Sequence, residues 1–237
     1  MLLELFPASP SDYNHDNTLR WMRDTYAPFV WTVAALYLTA VFAGQRVMAG
    51  REPLALCRPL AIWNLTMALY SLWSVVALWS DFWSSMDQGV AMSWCHSGSY
   101  YSGATGFWAF VFVLSKVAEL GDTVFLVLRK RPVIFLHWSH HVVILVMSQI
   151  NFRATSSWAR WGIFLNLSVH AAMYSYYFAR AMGSTILGSE QVCETSPADG
   201  VKATLMYLFN LALFAKYFYD SYLKKKKPKE EQAKKVE

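Results

Sequence analysis

Six apolar stretches, each long enough to cross a lipid bilayer, constrain the fold of this chain more than any other feature. A hydrocarbon core about 30 Å thick needs about 20 apolar residues in a helix that rises 1.5 Å per residue. The alternation that a membrane barrel would require is missing from these stretches. The sequence therefore predicts an all-α, polytopic transmembrane bundle. The six predicted spans are 27–43, 60–79, 107–128, 134–150, 158–182 and 201–223.

The composition agrees with a membrane protein. Only 16% of the residues are charged and 55% are hydrophobic, whereas a soluble domain averages about 25% charged. The formal net charge of +5 is concentrated near the C-terminus, where Lys224 to Lys227 form a run. We therefore expect a lumenal N-terminal segment (1–26), a transmembrane domain (27–223) and a basic cytosolic tail (224–237). Such a tail is either solvated or faces anionic lipid. A nucleic-acid partner is not expected, because there is no basic face outside the tail and loops.

Basic residues in the short loops predict the orientation. Arg46, Arg51 and Arg58 follow the first span and place that loop in the cytosol and the N-terminus in the lumen. Six crossings would then leave the basic tail in the lumen. The tail's charge predicts a cytosolic C-terminus instead, and so does the dilysine pattern at Lys234 and Lys235, which retrieves proteins to the endoplasmic reticulum and is read in the cytosol. The charge of the tail and the dilysine pattern thus indicate one crossing more than the six apolar spans provide.

Ionisable side chains inside the spans mark a candidate site, since such groups are costly in lipid and are usually functional. His137, His140 and His141 occupy positions i, i+3 and i+4 and so share one helix face. A neutral imidazole can act as a metal ligand, a general base or an acyl-accepting nucleophile. Membrane di-iron enzymes bind their metals through several histidine boxes, and this chain has too few histidines within the membrane for such a centre. A site for a single zinc ion stays possible as an alternative.

Two further stretches carry polar groups. In the third span Lys116, Glu119 and Thr123 share a face, and Asp122 lies beside them. We expect Lys116 to pair with Glu119 or a neighbouring acid, and either Asp122 or Glu119 to accept a hydrogen bond from a histidine N–H. In the fifth span a polar and aromatic stripe, also typical of packing, runs through Asn166, His170, Met173, Tyr174 and Tyr177.

The depth of the histidines predicts how the site opens. His170 lies near the middle of its span, while the other three lie near the cytosolic end of theirs. A site of this shape opens to the cytosol and reaches inward. It suits a substrate with a water-soluble head group and an apolar tail.

Three motifs in this order resemble the very-long-chain fatty acid elongases, the ELO-type 3-ketoacyl-CoA synthases of the endoplasmic reticulum. The first, Lys116-x-x-Glu119-x-x-Asp122-Thr123, is similar to the family's KxxExxDT motif, and the second, His137-x-x-His140-His141, to its HxxHH box. The third, Asn166-x-x-x-His170-x-x-Met173-Tyr174-x-Tyr176-Tyr177, resembles the family's third signature. Trp138 after the first histidine resembles the branch that elongates saturated and monounsaturated chains. The resemblance implies a seven-span fold and a decarboxylative Claisen condensation of acyl-CoA with malonyl-CoA.

The resemblance also implies roles for individual residues. His140 would accept the acyl group in a ping-pong reaction, His170 and His137 would assist proton transfer and decarboxylation, His141 would complete the catalytic group, and Asp122 would orient an imidazole. Residues expected to bind substrate are Lys116, Glu119, Thr123, Asn166, Met173, Tyr174 and Tyr177, with Arg129, Lys130 and Arg131 at the CoA phosphates. No metal or other cofactor is implied, and malonyl-CoA is a co-substrate. Expected partners are the reductases and dehydratase of the elongation cycle and a second copy of the chain.

The chain departs from this family where the sixth of the seven spans should lie. Thr185 and Gln191 match the ends of the family's TxxQxxQ motif, but Gly188 replaces the middle glutamine. By resemblance Cys95 and Cys193 would form a disulfide if both are lumenal. A missing helix would open the acyl tunnel to lipid. Two alternatives therefore stay open, an inactive elongase-like scaffold and a metal-dependent membrane oxidase or hydrolase.

Overall fold

The computed structural model describes residues 5–87 and 89–186, and over these residues all regular structure is helical. The predicted all-α class is confirmed for this part of the chain. The sixth predicted span, Cys193, the basic tail and the dilysine pattern lie outside the described residues. The α-helices are α1 (His15–Trp21), α2 (Ala27–Ala49), α3 (Cys57–Ser84), α4 (Val90–Cys95), α5 (Gly103–Glu119), α6 (Gly121–Leu128), α7 (Phe135–Arg153) and α8 (Ala159–Ile186).

The first helices form one continuous run. The Asn14 side chain caps α1 by accepting a hydrogen bond from the Asn17 N–H. A π-helical turn at Met22–Tyr26 then leads into α2, where Pro28 lacks an N–H and cannot donate to the preceding turn. Within the described part, the runs His15–Ala49 and Cys57–Ser84 are long and apolar enough to cross a membrane. α5 with 17 residues and α6 with 8 residues are each too short to cross alone, while polar and ionisable side chains lower the hydropathy of α7 and α8.

The third predicted span is two helices and not one. α5 ends at Glu119 and α6 begins at Gly121. The backbone tightens between them, because the N–H groups of Leu120 and Thr123 donate to carbonyls three residues earlier. Gly121 permits a close approach of α3, since a Cβ atom there would lie 2.8 Å from the Trp63 ring. The junction falls between the two acidic residues of the first motif, and short tightened stretches of this kind often mark functional positions.

The helices pack around this junction. α8 lies along α3, α5 packs against α7, and α2 packs against both α6 and α7. Large apolar side chains on the outer faces of α2, α3 and α7 are exposed, as expected for surfaces that face lipid. Examples are Trp31, Leu36, Ile62, Trp73, Val76 and Phe135.

A buried arginine fastens one end of the bundle. Arg160, at the start of α8, is only 5% exposed. Its Nε donates to Asp81 Oδ2 at 2.8 Å, and its other nitrogens donate to the carbonyls of His96 at 3.1 Å and Ser97 at 2.8 Å. The guanidinium lies 5.0 Å from the centre of the Tyr100 ring, and burial raises the pKa of Tyr100 well above its usual value. Arg160 thereby ties α3, α8 and the loop before α5 together.

Candidate active site

A buried ion pair forms the centre of the site. Lys116 and Glu119 are each 1% exposed, and Lys116 Nζ donates to Glu119 Oε1 at 2.5 Å. Lys116 Nζ also donates to Asn166 Oδ1 of α8 at 2.9 Å. His170 Nδ1, one turn further along α8, lies 3.5 Å from the same Glu119 oxygen. The predicted pairing of Lys116 with Glu119 is confirmed, and it brings the first and third motifs into contact.

Two hydrogen bonds from neighbouring helices hold Asp122. Trp63 Nε1 donates to Oδ1 at 2.6 Å, and the Tyr174 hydroxyl donates to Oδ2 at 2.6 Å. Hydrogen bonds to an ionised group are stronger than those between neutral groups, so this carboxylate links α3, α6 and α8. The sequence predicted that Asp122 or Glu119 would accept from a histidine. The carboxylate that the structure brings to a histidine is Glu119, beside His170.

The histidine box meets the first motif through Thr123. Thr123 Oγ1 lies 2.9 Å from His137 Nε2 and 2.8 Å from the hydroxyl of Tyr37 on α2. The His137 and His141 rings are 4.5 Å apart between centroids, and the His140 and His141 rings 5.9 Å apart. The three imidazoles therefore form one compact cluster beside Thr123, as the shared helix face predicted.

Burial differs among these histidines. His141 is buried, and neither of its nitrogens has a hydrogen-bond partner among the described residues. His170 is buried against Glu119, while His137 and His140 are half-buried. His140 is therefore more accessible than its neighbour His141.

The remaining predicted residues lie further from the ion pair. Met173 packs beside Tyr174 in a small apolar cluster with Met67. Lys130 Nζ donates to the carbonyls of Ala49 at 3.1 Å and Arg51 at 3.0 Å. The α6–α7 loop that contains Lys130 is thus fastened to the α2–α3 loop.

Several predictions on individual residues are not decided by this geometry. Tyr177 is half-buried near the end of α8, and Arg129 and Arg131 flank Lys130. Cys95 is exposed at the end of α4, and its predicted partner lies outside the described residues. The disulfide and the binding of CoA phosphates stay predictions.

Three functional neighbours could not be identified from the sequence. Tyr37 and Trp63 contact the first motif, and Ser115 Oγ lies 3.3 Å from Glu119 Oε1. Tyr37 and Trp63 come from helices that carry no motif. The one sequence signal for Trp63 is Gly121, whose missing side chain makes room for the indole ring.

The arrangement provides acid–base and nucleophilic groups in a water-poor setting. An imidazole beside a carboxylate can take up or release a proton, and a buried cation stabilises negative charge that develops nearby. Among the described residues, no three histidine, cysteine or acidic side chains are grouped as a metal site would require.

Comparison with known proteins agrees with the motifs. Residues 21–195 match the ELO (GNS1/SUR4) family. The chain is 36% identical to long chain fatty acid elongase 2 of Caenorhabditis elegans over 90% of this chain and 89% of that protein. It is 31% identical to human very long chain fatty acid elongase 6 over 90% of this chain and 91% of that protein.

The alignment lengths reveal a difference in size. The alignment to the C. elegans relative spans 246 positions, although 90% of this 237-residue chain is only about 213 residues. About 33 positions of that alignment are therefore gaps in this chain. The family match and the coverage are nonetheless sufficient for assignment: this chain belongs to the ELO family of fatty acid elongases, which are membrane enzymes.

Proposed function

We propose that this chain is the condensing enzyme of fatty acid elongation. It joins acyl-CoA and malonyl-CoA to give 3-ketoacyl-CoA, carbon dioxide and free CoA. The observation that carries the proposal is the convergence of all three motifs on the α5–α6 junction. Lys116 and Glu119 meet Asn166 and His170 there, and Thr123 meets the histidine box.

The first half-reaction forms an acyl-enzyme. An imidazole nitrogen of His140 attacks the thioester carbon of acyl-CoA, the carbon–sulfur bond breaks, and CoA leaves as the thiolate. A neighbouring imidazole takes the proton from His140 and passes it to the leaving sulfur. His140 is half-buried, which supports its choice over His141, whose ring is enclosed.

The second half-reaction forms the carbon–carbon bond. Malonyl-CoA loses carbon dioxide, and the electron pair of the broken bond forms an enolate that attacks the acyl carbon. The bond between the acyl carbon and His140 breaks, His140 takes up a proton from solvent through a neighbouring imidazole, and 3-ketoacyl-CoA is released. The enolate carries negative charge, which the Lys116 cation and the N–H group of His137 can stabilise.

Glu119 takes the orienting role that the sequence assigned to Asp122. Glu119 Oε1 lies 3.5 Å from His170 Nδ1, whereas the Asp122 oxygens accept hydrogen bonds from Trp63 and Tyr174. A carboxylate beside Nδ1 favours the tautomer with the proton on that nitrogen. Nε2 of His170 is then the basic nitrogen that takes up the proton that His140 loses on acylation. Asp122 holds α3 and α8 in place around it.

The substrates we propose are saturated or monounsaturated long-chain acyl-CoAs. Trp138 within the histidine box supports the saturated or monounsaturated class by resemblance, and the relatives named long and very long chain fatty acid elongases support the chain length. Arg129, Lys130 and Arg131 would meet the CoA phosphates. The enzyme would reside in the endoplasmic reticulum with its C-terminus in the cytosol, where Lys234 and Lys235 are read. It would pass its product to a reductase and dehydratase and would associate as a homodimer.

A shortened, inactive scaffold is the second candidate. The gaps of about 33 positions in the alignment equal about one spanning helix with its loop, in agreement with the missing sixth span. Without that helix the acyl tunnel would open to lipid, and a condensing reaction that needs a dry site would slow. The scaffold would keep the fold and the partners without turnover.

An elongation assay separates the two candidates. Membranes that contain the chain receive labelled malonyl-CoA with acyl-CoAs of graded length, beside His140→Ala expressed at the same level. Extension by two carbons that disappears in the variant supports the enzyme. Background extension by well-expressed wild-type protein favours the scaffold. Metal analysis of the purified protein tests the metal-dependent alternative, for which a stoichiometric ion would be required.

A further inference from the structure

Tyr37 makes an unexpected connection to the histidine box. It lies on α2, which carries no residue of the three motifs, and its side chain is buried. Its hydroxyl lies 2.8 Å from Thr123 Oγ1, and Thr123 Oγ1 lies 2.9 Å from His137 Nε2. Tyr37, Thr123 and His137 thus form a chain of two hydrogen bonds that joins α2, α6 and α7.

The two hydrogen bonds between Tyr37, Thr123 and His137 have one favoured direction of donation. Tyr37 and Thr123 each carry one hydroxyl proton, and the His137 ring carries one on either nitrogen. If His137 Nε2 donated to Thr123 and Thr123 donated to Tyr37, the phenolic proton would be buried without an acceptor among the described residues. If Tyr37 and His137 both donated to Thr123, the Thr123 hydroxyl proton would lack an acceptor there. Leaving a buried donor unsatisfied is costly. Donation from Tyr37 to Thr123 and from Thr123 to His137 Nε2 gives both hydroxyl protons an acceptor.

This direction fixes the tautomer of His137. An Nε2 atom that accepts a hydrogen bond is unprotonated, so the ring proton is on Nδ1. The Nε2 lone pair is then occupied and cannot attack an acyl carbon. His137 becomes a donor of its Nδ1 proton, which leaves the nucleophilic step to another histidine of the box.

We propose that Tyr37 is a positioning residue that acts through Thr123 and keeps His137 in its Nδ1–H form. The inference rests on the proposed function for its catalytic consequence, while the tautomer itself is independent of turnover. It also changes the role of Thr123 from contacting the substrate to relaying a hydrogen bond. Tyr37 does not touch the substrate.

Steady-state kinetics of three variants test the proposal. Tyr37→Phe removes the hydroxyl and keeps the ring, and Thr123→Val removes the relay with little change in shape. We expect Tyr37→Phe to lower kcat by about 3- to 10-fold, the change that one hydrogen bond of ordinary net strength produces, with KM for both substrates unchanged. The double variant should be no slower than Thr123→Val, because Tyr37 acts only through Thr123. Additive losses would overturn the proposal.

Tyr26→Phe is the matched control. Tyr26 is also buried, and its hydroxyl donates to the Val113 carbonyl at 3.1 Å, away from the histidine box. A general effect of losing a buried tyrosine hydroxyl would lower kcat equally in Tyr26→Phe and Tyr37→Phe, and that result would contradict a positioning role. We expect the rate of Tyr26→Phe to stay within about 2-fold of wild type.

A spectroscopic readout tests the tautomer without turnover. Protein labelled with ¹⁵N-histidine gives distinct shifts for protonated and unprotonated ring nitrogens, and the His137 signals are assigned by their loss in His137→Gln. We expect Nδ1–H in wild type and a mixture of tautomers in both Tyr37→Phe and Thr123→Val. An Nε2–H signal in wild type would overturn the proposal. Nδ1–H in a protein without elongation activity would leave this proposal standing and refute the proposed function alone.

Discussion

Replacing Arg160 by methionine should destabilise the protein more than replacing an exposed arginine does. The guanidinium donates to Asp81 at 2.8 Å and to the carbonyls of Ser97 at 2.8 Å and His96 at 3.1 Å, with its side chain almost completely buried. Methionine fills a similar volume but donates nothing. Arg160 also donates to the Ser93 carbonyl at 3.4 Å, so the variant leaves a carboxylate and three carbonyls without their partner.

The magnitude follows from these contacts. Removing one partner of a buried ion pair costs about 3–5 kcal/mol. The Asp81 side chain is 19% exposed, so water recovers part of its solvation and the lower end, about 3 kcal/mol, applies. For a chain of this size 1 kcal/mol corresponds to about 2–4 °C in the unfolding midpoint. We expect a midpoint about 6–12 °C below wild type.

Thermal unfolding of the detergent-solubilised protein, followed by size-exclusion chromatography, measures this change. Arg153→Met is the matched control, because Arg153 is exposed and makes only a 3.4 Å contact with Gln149. Asp81→Asn combined with Arg160→Met should recover part of the loss, since the orphaned charge is gone. If Arg160→Met unfolds within about 1 °C of wild type, as surface substitutions do, the buried arginine does not fasten the bundle.

Two more substitutions test the packing and the charge of the site. Lys116→Met should lower the unfolding midpoint as strongly as Arg160→Met, because it leaves Glu119 buried without its cation. The double variant Lys116→Met with Glu119→Gln should lose less stability, because no unpaired charge is left. Its elongation activity should be absent. Equal decreases of the unfolding midpoint in the single and double variants would show that the unpaired Glu119 charge is not what destabilises the protein. Gly121→Ala should cost about 1–3 kcal/mol by overpacking, since its Cβ would meet the Trp63 ring at 2.8 Å, whereas Gly50→Ala meets nothing within 4 Å. Equal midpoints for these two would refute the close approach.

The motifs could be predicted from sequence because each lies within one helix. Spacing of three or four residues places Lys116 beside Glu119 and groups the three histidines, and the structure agrees on both points. The acid that meets His170 could not be chosen between Glu119 and Asp122. That choice depends on the rotation of α5 and α6 relative to α8, which local spacing does not specify.

The partners of the motifs could not be predicted, since they come from distant parts of the chain. Trp63 and Tyr37 are two aromatic residues among many in apolar helices, and no spacing relates them to Asp122 or Thr123. The break at Leu120 was hidden because apolar side chains continue through it. No sequence pattern distinguishes Arg160, near the start of the fifth predicted span, from an exposed arginine, and only the structure reveals that it is buried.

Transfer of the acyl group to the protein, in the absence of malonyl-CoA, tests the central claim most directly. Purified enzyme is mixed with a long-chain acyl-CoA, released CoA is counted, and the intact mass is measured at once. We expect one CoA released per chain, a mass increase of one acyl group that maps to the peptide containing His140, and neither event in His140→Ala. CoA release that requires malonyl-CoA, with no acylated protein at any time, would contradict the two-step reaction on the histidine box.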